Sequence, residues 1–308
     1  MDNQKLLLSL DIYDAKFKIP YYISKVEPFK NKEIILFSIF ESFPYRFLDV
    51  EFREKYSTQT QELIAWKMNQ LKYQKNYMDK AKQILLDAGF SKDLIFTKIQ
   101  EKEVGFARDI LREAKKNYSA VAIGRKDMGN VATLILGSVA TKLIEKLVFV
   151  PIMIVGENAD PNKILIAMDG SEGSSRAVDF VARTLGHKDI KIGLIHVIRG
   201  ETAFKDEFYK FFSPEKYEED VKDRILPFFE DAKNFLIKMG VNSENITTKI
   251  VSDAASRAES IVIEAKEQGY GTIVLGRRGL SKVQEFFMGR VSNKAIQLVT
   301  EQALWIVS

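Results

Sequence analysis

The sequence predicts an α/β protein built from two homologous, doubly wound parallel-sheet domains within 308 residues. Three observations carry that prediction. Short β-branched apolar runs alternate with helical patterns, as parallel strands and their crossovers do. The whole series occurs twice, so that Asp11 matches Asp169, Lys98 matches Lys249 and Gly137 matches Gly289, at offsets of 158, 151 and 152 residues. A glycine also stops the fourth run of each copy, Gly124 in one and Gly276 in the other. A repeat this long is a duplicated domain rather than a solenoid unit.

In the first copy the expected strands fall at 5–10, 33–40, 94–100, 120–123 and 151–155. In the second they fall at 163–168, 191–198, 245–251, 272–275 and 304–307. None alternates polar with apolar, which is how strands covered on both faces read. Helical patterns at 59–88, 102–116, 220–239 and 254–268 lie between them, and Gly89 and Gly240 stand where a long helix would end. The polar, turn-rich stretch 156–162 divides the chain into domains 1–156 and 161–308. The fifth strands of the two copies are apolar edges, and pairing them with each other would hide both. The aromatic-rich stretch from Thr202 to Phe229, broken at Ser213-Pro214, is read as packing of the helix after the second strand. Its counterpart from Phe43 to Tyr56 is also aromatic.

Composition narrows the function. The chain is 46% hydrophobic and 29% charged, with 46 Lys+Arg against 42 Asp+Glu. A net charge of +4 so evenly interspersed points to solvated helix faces, not to a nucleic-acid partner. With no cysteine, disulfides, thiolate metal sites and cysteine nucleophiles are excluded. No apolar run reaches the ~18 residues of a membrane span, and nothing reads as a signal peptide, so the expected location is cytoplasmic.

The candidate chemistry sits in 272–292. A buried run ends at Gly276, Gly279 follows after two residues, and Gly289 follows after nine more, ahead of a helical pattern. Glycines there let backbone N–H groups approach phosphate oxygens, and a helix start adds unpaired donors. This Gly-x-x-Gly, nine residues, Gly spacing resembles the nucleotide signature of the universal stress protein family. Lys163-Ile-Leu-Ile-Ala-Met-Asp169 at the head of the same copy is similar to that family's first strand and its adenine-side aspartate.

The resemblance implies a strand order of 3-2-1-4-5 in each domain, with antiparallel pairing of the fifth strands into an intrachain pseudo-dimer. The same reading is compatible with a homodimer of the whole chain. It implies an adenine nucleotide, ATP or AMP, with Mg²⁺ possible beside it. In the second domain adenine and ribose would lie near Ala167, Met168, Asp169, Val197 and Leu275. Phosphates would lie over Gly276, Arg278, Gly279, Gly289, Arg290, Val291 and Ser292. The family places Ser or Thr after the last glycine, where this sequence has Arg290, whose guanidinium either reaches a phosphate, the preferred reading, or folds out into solvent. In the first domain the matching residues are Asp11, Ile39, Gly124, Gly137, Ser138 and Val139. There Asp127 replaces the second glycine and would repel phosphates, so that site reads as weakened. His196, within a strand, is read as a packed histidine rather than a base.

The expected role is therefore nucleotide-dependent binding and regulation in a stress response, not catalysis. The alternatives are an interaction module that keeps the fold without the ligand, and a slow ATP hydrolase or adenylating enzyme. No Gly-x-x-x-x-Gly-Lys-Ser/Thr run exists, which excludes a P-loop nucleoside triphosphatase.

Overall fold

The computed structural model describes residues 5–41, 57–125, 137–186, 189–200, 213–279 and 288–308. Asp127, Gly129, His187, the stretch 43–56 and the aromatic residues of 204–212 lie outside the described residues.

In the first half the elements are β1 (Lys5–Ser9), α1 (Lys18–Ser24), β2 (Glu33–Phe40), α2 (Ser57–Asp87), β3 (Ile95–Glu101), α3 (Phe106–Ala114), β4 (Ala120–Gly124), α4 (Ser138–Lys146) and β5 (Ile152–Val155). In the second half they are β6 (Lys163–Ala167), α5 (Glu172–Leu185), β7 (Lys191–Arg199), α6 (Pro214–Lys238), β8 (Ile246–Ala254), α7 (Arg257–Glu267), β9 (Thr272–Gly276), α8 (Arg290–Leu298) and β10 (Ala303–Val307). The strands lie within three residues of the runs read from the sequence. Two helix starts differ more, and the expected 102–116 helix begins only at Phe106. The expected 220–239 helix begins at Pro214, because Ser213 accepts a hydrogen bond from Lys216 N at 3.2 Å and proline fits the first helical turn. What reads as a break is a helix start.

All ten strands form one sheet, ordered β3-β2-β1-β4-β5-β10-β9-β6-β7-β8. Each half is parallel in the order 3-2-1-4-5, and the halves join through antiparallel β5 and β10. Met153 faces Trp305 at that seam. These two are themselves equivalents in the repeat, so the pseudo-two-fold axis passes between them, as a self-complementary interface requires.

Both faces of the sheet are covered, which explains the continuous apolar runs. Leu6 and Leu8 enter one core while Leu7 enters the other; Ile164 and Ile166 join the first, Leu165 the second. Both cores draw residues from both halves, so the molecule has no dry seam between two separate centres. Each fully buried Leu or Ile contributes about 1.5–3 kcal/mol relative to exposure. At the junction Tyr22 of α1 donates to Thr272 Oγ1 of β9 at 2.9 Å, and Thr272 donates on to Asp160 O at 2.7 Å. The matched Lys98 and Lys249 each reach a buried glutamate at 2.5 Å, Glu113 and Glu264, and so pin α3 to β3 and α7 to β8. Gly89 and Gly240 end α2 and α6 with φ of 88° and 107°, the left-handed conformation that glycine adopts without strain.

Two arginines tie the halves together reciprocally. Arg125 follows β4, and its Nη2 donates to Ile296 O in α8 at 2.8 Å. Arg277 follows β9, and its Nη2 donates to Ile144 O at 2.6 Å and Glu145 O at 3.2 Å, with Nη1 on Leu147 O at 3.4 Å. Each guanidinium thus meets the carbonyl-rich C-terminal end of the other half's last helix, where a cation is favoured. Burial holds both guanidiniums below their usual pKa.

Candidate functional site

In open parallel sheets, ligands bind beyond the carboxyl ends of strands where the strand order reverses. In the second half that point lies between β6 and β9. A cleft of ≈ 360 Å³ opens there, and all twelve residues expected from the sequence line it.

Its floor is fixed by close backbone packing. A side chain on Gly276 would sit 2.5 Å from the backbone carbon of Gly173, and one on Gly173 would sit 2.1 Å from Arg278 O. The start of α5 therefore lies directly against the loop after β9. Gly173 was not singled out from the sequence, although its spacing after Asp169-Gly170-Ser171 was the available signal. That turn is capped. Asp169 Oδ1 accepts from Ser171 N at 3.0 Å, and Ser171 Oγ accepts from Ser174 N at 3.2 Å. Gly170 has φ of 74° and a Cβ there would meet the Phe228 ring at 2.9 Å, so this position needs glycine on both counts.

Gly279 serves a different purpose from the one spacing suggests. Its φ is not in the left-handed region. A Cβ there would meet Asp169 Oδ2 at 2.2 Å, so the glycine lets the loop close against that carboxylate. Gly289 precedes α8, and its N–H is engaged by Arg277 O at 2.9 Å. The first intrahelical bond runs from Asn293 N to Gly289 O, which leaves the N–H groups of Arg290, Val291 and Ser292 as the helix's unpaired donors. The Ser292 hydroxyl is turned inward and donates to Gly276 O at 2.8 Å, fastening the helix start to the end of β9.

Several lining residues escaped the sequence reading. Tyr217, Val221 and Arg224 come from α6, Arg257 and Ile261 from α7, and His196 from β7. They are distant in sequence, and only the fold brings them to the ends of β6, β7 and β9. His196 Nδ1 lies 2.6 Å from Met168 O, so Nδ1 carries the proton and donates. Burial pushes its pKa down, with Arg257 and Arg224 acting the same way against the Met168 bond and Asp169. Its repeat partner Ser38 makes the same bond, Oγ to Leu10 O at 3.1 Å.

The first half has a cleft of ≈ 680 Å³ at the equivalent point, lined by all six residues expected there. Its chemistry differs. A side chain on Gly124 would meet only Ile19 Cδ1, at 3.7 Å, among the described residues, in place of the close backbone contact found at Gly276. Trp66, Phe40 and Phe106 line it together with Asp11 and Glu41, and no Lys or Arg lines it among the described residues.

A doubly wound tandem α/β protein with a glycine-floored cleft at the switch point is the class these features define. Comparison with known proteins places the chain within it. The universal stress protein family model matches residues 161–304. The universal stress protein YxiE of Bacillus subtilis is 30% identical over 144 residues, which is 45% of this chain and 94% of that protein. The chain belongs to the universal stress protein family. Among solved structures, a universal stress protein from Archaeoglobus fulgidus aligns over 100% of this chain and 99% of its own, at 18% identity and a TM-score of 0.60. A functionally unknown protein from Pseudomonas aeruginosa PAO1 aligns over 99% and 92%, at 15% identity and a TM-score of 0.56. Both likenesses span the two halves together and concern the fold. No helix among the described residues is long and apolar enough to cross a membrane.

Proposed function

We propose that the cleft of the second half binds an adenine nucleotide, ATP or AMP, and that the protein acts as a nucleotide-dependent regulator in a stress response. The observation that carries this reading is convergence. Residues from the first strand's end, the second strand's end, the glycine loop and the last helix start, distant in sequence, line one cleft at the switch point. Val197, Leu275 and Ile261 offer an apolar wall for a base, and Arg278, Arg290 and three unpaired N–H groups offer cations and donors for phosphates. A volume of ≈ 360 Å³ is within the range of small-ligand sites. Asp169, beside Gly279, is the carboxylate that would meet the ribose or a Mg²⁺ ion carried in with the phosphates.

The first half is assigned a weakened site. Its cleft is lined by Asp11 and Glu41 with no Lys or Arg among the described residues, and its glycine loop carries Asp127, outside the described residues. One domain then holds the nucleotide, and the other serves as its covalent structural partner. The domains are assigned to 1–156 and 161–308, and the location to the cytoplasm. The direct test is to denature the purified protein and chromatograph what it releases, then to titrate nucleotide-free protein with ATP and AMP. Co-purifying or stoichiometrically bound adenine nucleotide supports the reading; its absence in both experiments favours an interaction module without ligand.

A further inference from the structure

The phosphate end of the second cleft lies over β9, at Gly276 and the start of α8, but two more arginines stand at its other end. Arg257 begins α7 and donates from Nε to Val197 O at 3.1 Å, at the end of β7. Arg224 reaches the same place from α6, on the opposite face of the sheet. Both guanidiniums oppose protonation of His196, which places them around the same strand end. Strands β9, β6 and β7 are consecutive in the sheet, so Val197 and Gly276 are two strand spacings apart, about 10 Å.

Among the described residues neither arginine is balanced. No carboxylate pairs with Arg224 or Arg257 among the described residues, and the Nη groups of Arg257 are left over once Nε is placed. Both side chains are largely exposed, so neither has a packing role that would explain it. The repeat provides an internal comparison. At the 151-residue offset that aligns Gly89 with Gly240, Arg224 corresponds to Tyr73 and Arg257 to Phe106. The first half keeps the fold, the helices and a cleft without either cation. These arginines therefore belong to what the second cleft holds, not to what the architecture needs.

We propose that Arg224 and Arg257 form a second anion pole, so that the cleft's preferred ligand is a nucleoside carrying two separated phosphate groups. One is the 5′ chain at the glycine loop and the other a phosphate on the 2′ or 3′ ribose oxygen. This rests on the nucleotide reading above and narrows it. A 5′ chain alone leaves the second pole facing water, whereas a ribose phosphate meets two guanidiniums in a pocket already low in carboxylates, where charge-assisted bonds are strongest.

The test uses the full-length protein and two probes, AMP and adenosine 3′,5′-bisphosphate, titrated calorimetrically at one salt concentration. The wild-type protein should bind the bisphosphate at least tenfold more tightly than AMP. Arg224→Gln and the double variant Arg224→Gln/Arg257→Gln should lose that preference while keeping AMP affinity within about twofold. Arg224 is exposed and pairs with no carboxylate among the described residues, so its single variant keeps the test sound even if replacing Arg257 disturbs β7. Arg290→Gln should weaken both probes alike. Equal affinity of the wild-type protein for the two probes overturns the second pole and leaves the nucleotide site standing, as does a preference that survives the double variant. Failure of both probes to bind overturns the nucleotide reading and this inference with it.

Discussion

Replacing Arg277 by alanine tests how the two halves hold together. Its guanidinium makes three bonds to main-chain oxygens of the other half, at 2.6, 3.2 and 3.4 Å. The acceptors belong to the last turn and C-cap of α4, where Leu147 is fully buried and water cannot readily take over. A charged donor bond is worth about 1.5–3 kcal/mol, and orphaning a buried carbonyl costs about 1–3 kcal/mol. Against that stands the cost of burying the guanidinium, whose Nε has no partner among the described residues. That cost disappears with the side chain, so the three contacts do not add. A net loss of about 2–4 kcal/mol remains, measured as the shift of the urea midpoint at constant slope. Arg125→Ala removes a single 2.8 Å bond and should cost about half as much. Because each arginine sits in one half and caps the other, the double variant should lose more stability than either single change. A midpoint for Arg277→Ala within about 0.5 kcal/mol of the wild type, the usual range for surface substitutions, would refute the clasp.

Three further outcomes are open to measurement. Gly276→Ala places a methyl group 2.5 Å from the Gly173 backbone and should cost more than about 2 kcal/mol of stability, whereas Gly124→Ala meets, among the described residues, only Ile19 at 3.7 Å and should cost less; thermal melts compare them directly. Asp127→Gly should create or strengthen a second ATP site, since a carboxylate near phosphate opposes binding by about 4 kcal/mol at 4 Å and an effective dielectric of 20, while Arg290→Ser should leave the number of sites unchanged; equilibrium dialysis counts them. His196 has a pKa below its ordinary 6.5 in the folded protein, so the unfolded chain takes up the proton first. Its contribution is fully present above pH 6.5 and is lost as pH falls through the depressed folded value; His196→Gln should flatten that acid-side decline in urea midpoints.

The sheet was legible because parallel strands buried on both faces write themselves as apolar runs, and because the repeat states each run twice. The pairing of β5 with β10 followed from the same logic, as two apolar edges in one chain. The start of α6 was misread because Ser-Pro is both a chain breaker and a good helix N-terminus, and only Lys216 N bonding to Ser213 decides between them. Arg277 has no role in the sequence reading. An arginine in a loop reads as solvated, and only its occurrence after both matched glycines, as Arg125 and Arg277, hinted at more. Arg224 and Arg257 carried no local signal, since each looks like any polar residue at the exposed side or start of a helix. They become a pair only when the sheet brings α6 and α7 to the end of β7.

The central claim, a single competent nucleotide site in the second half, is tested most directly by calorimetric titration of ATP into the intact protein and its Gly279→Asp variant. The variant sets a carboxylate into the glycine loop and against Asp169 Oδ2, which lies 2.2 Å from where the new Cβ would stand. One ATP per chain in the wild-type protein and none in the variant is the result predicted. Unchanged affinity in the variant, or two equal sites in the wild-type protein, would contradict the account.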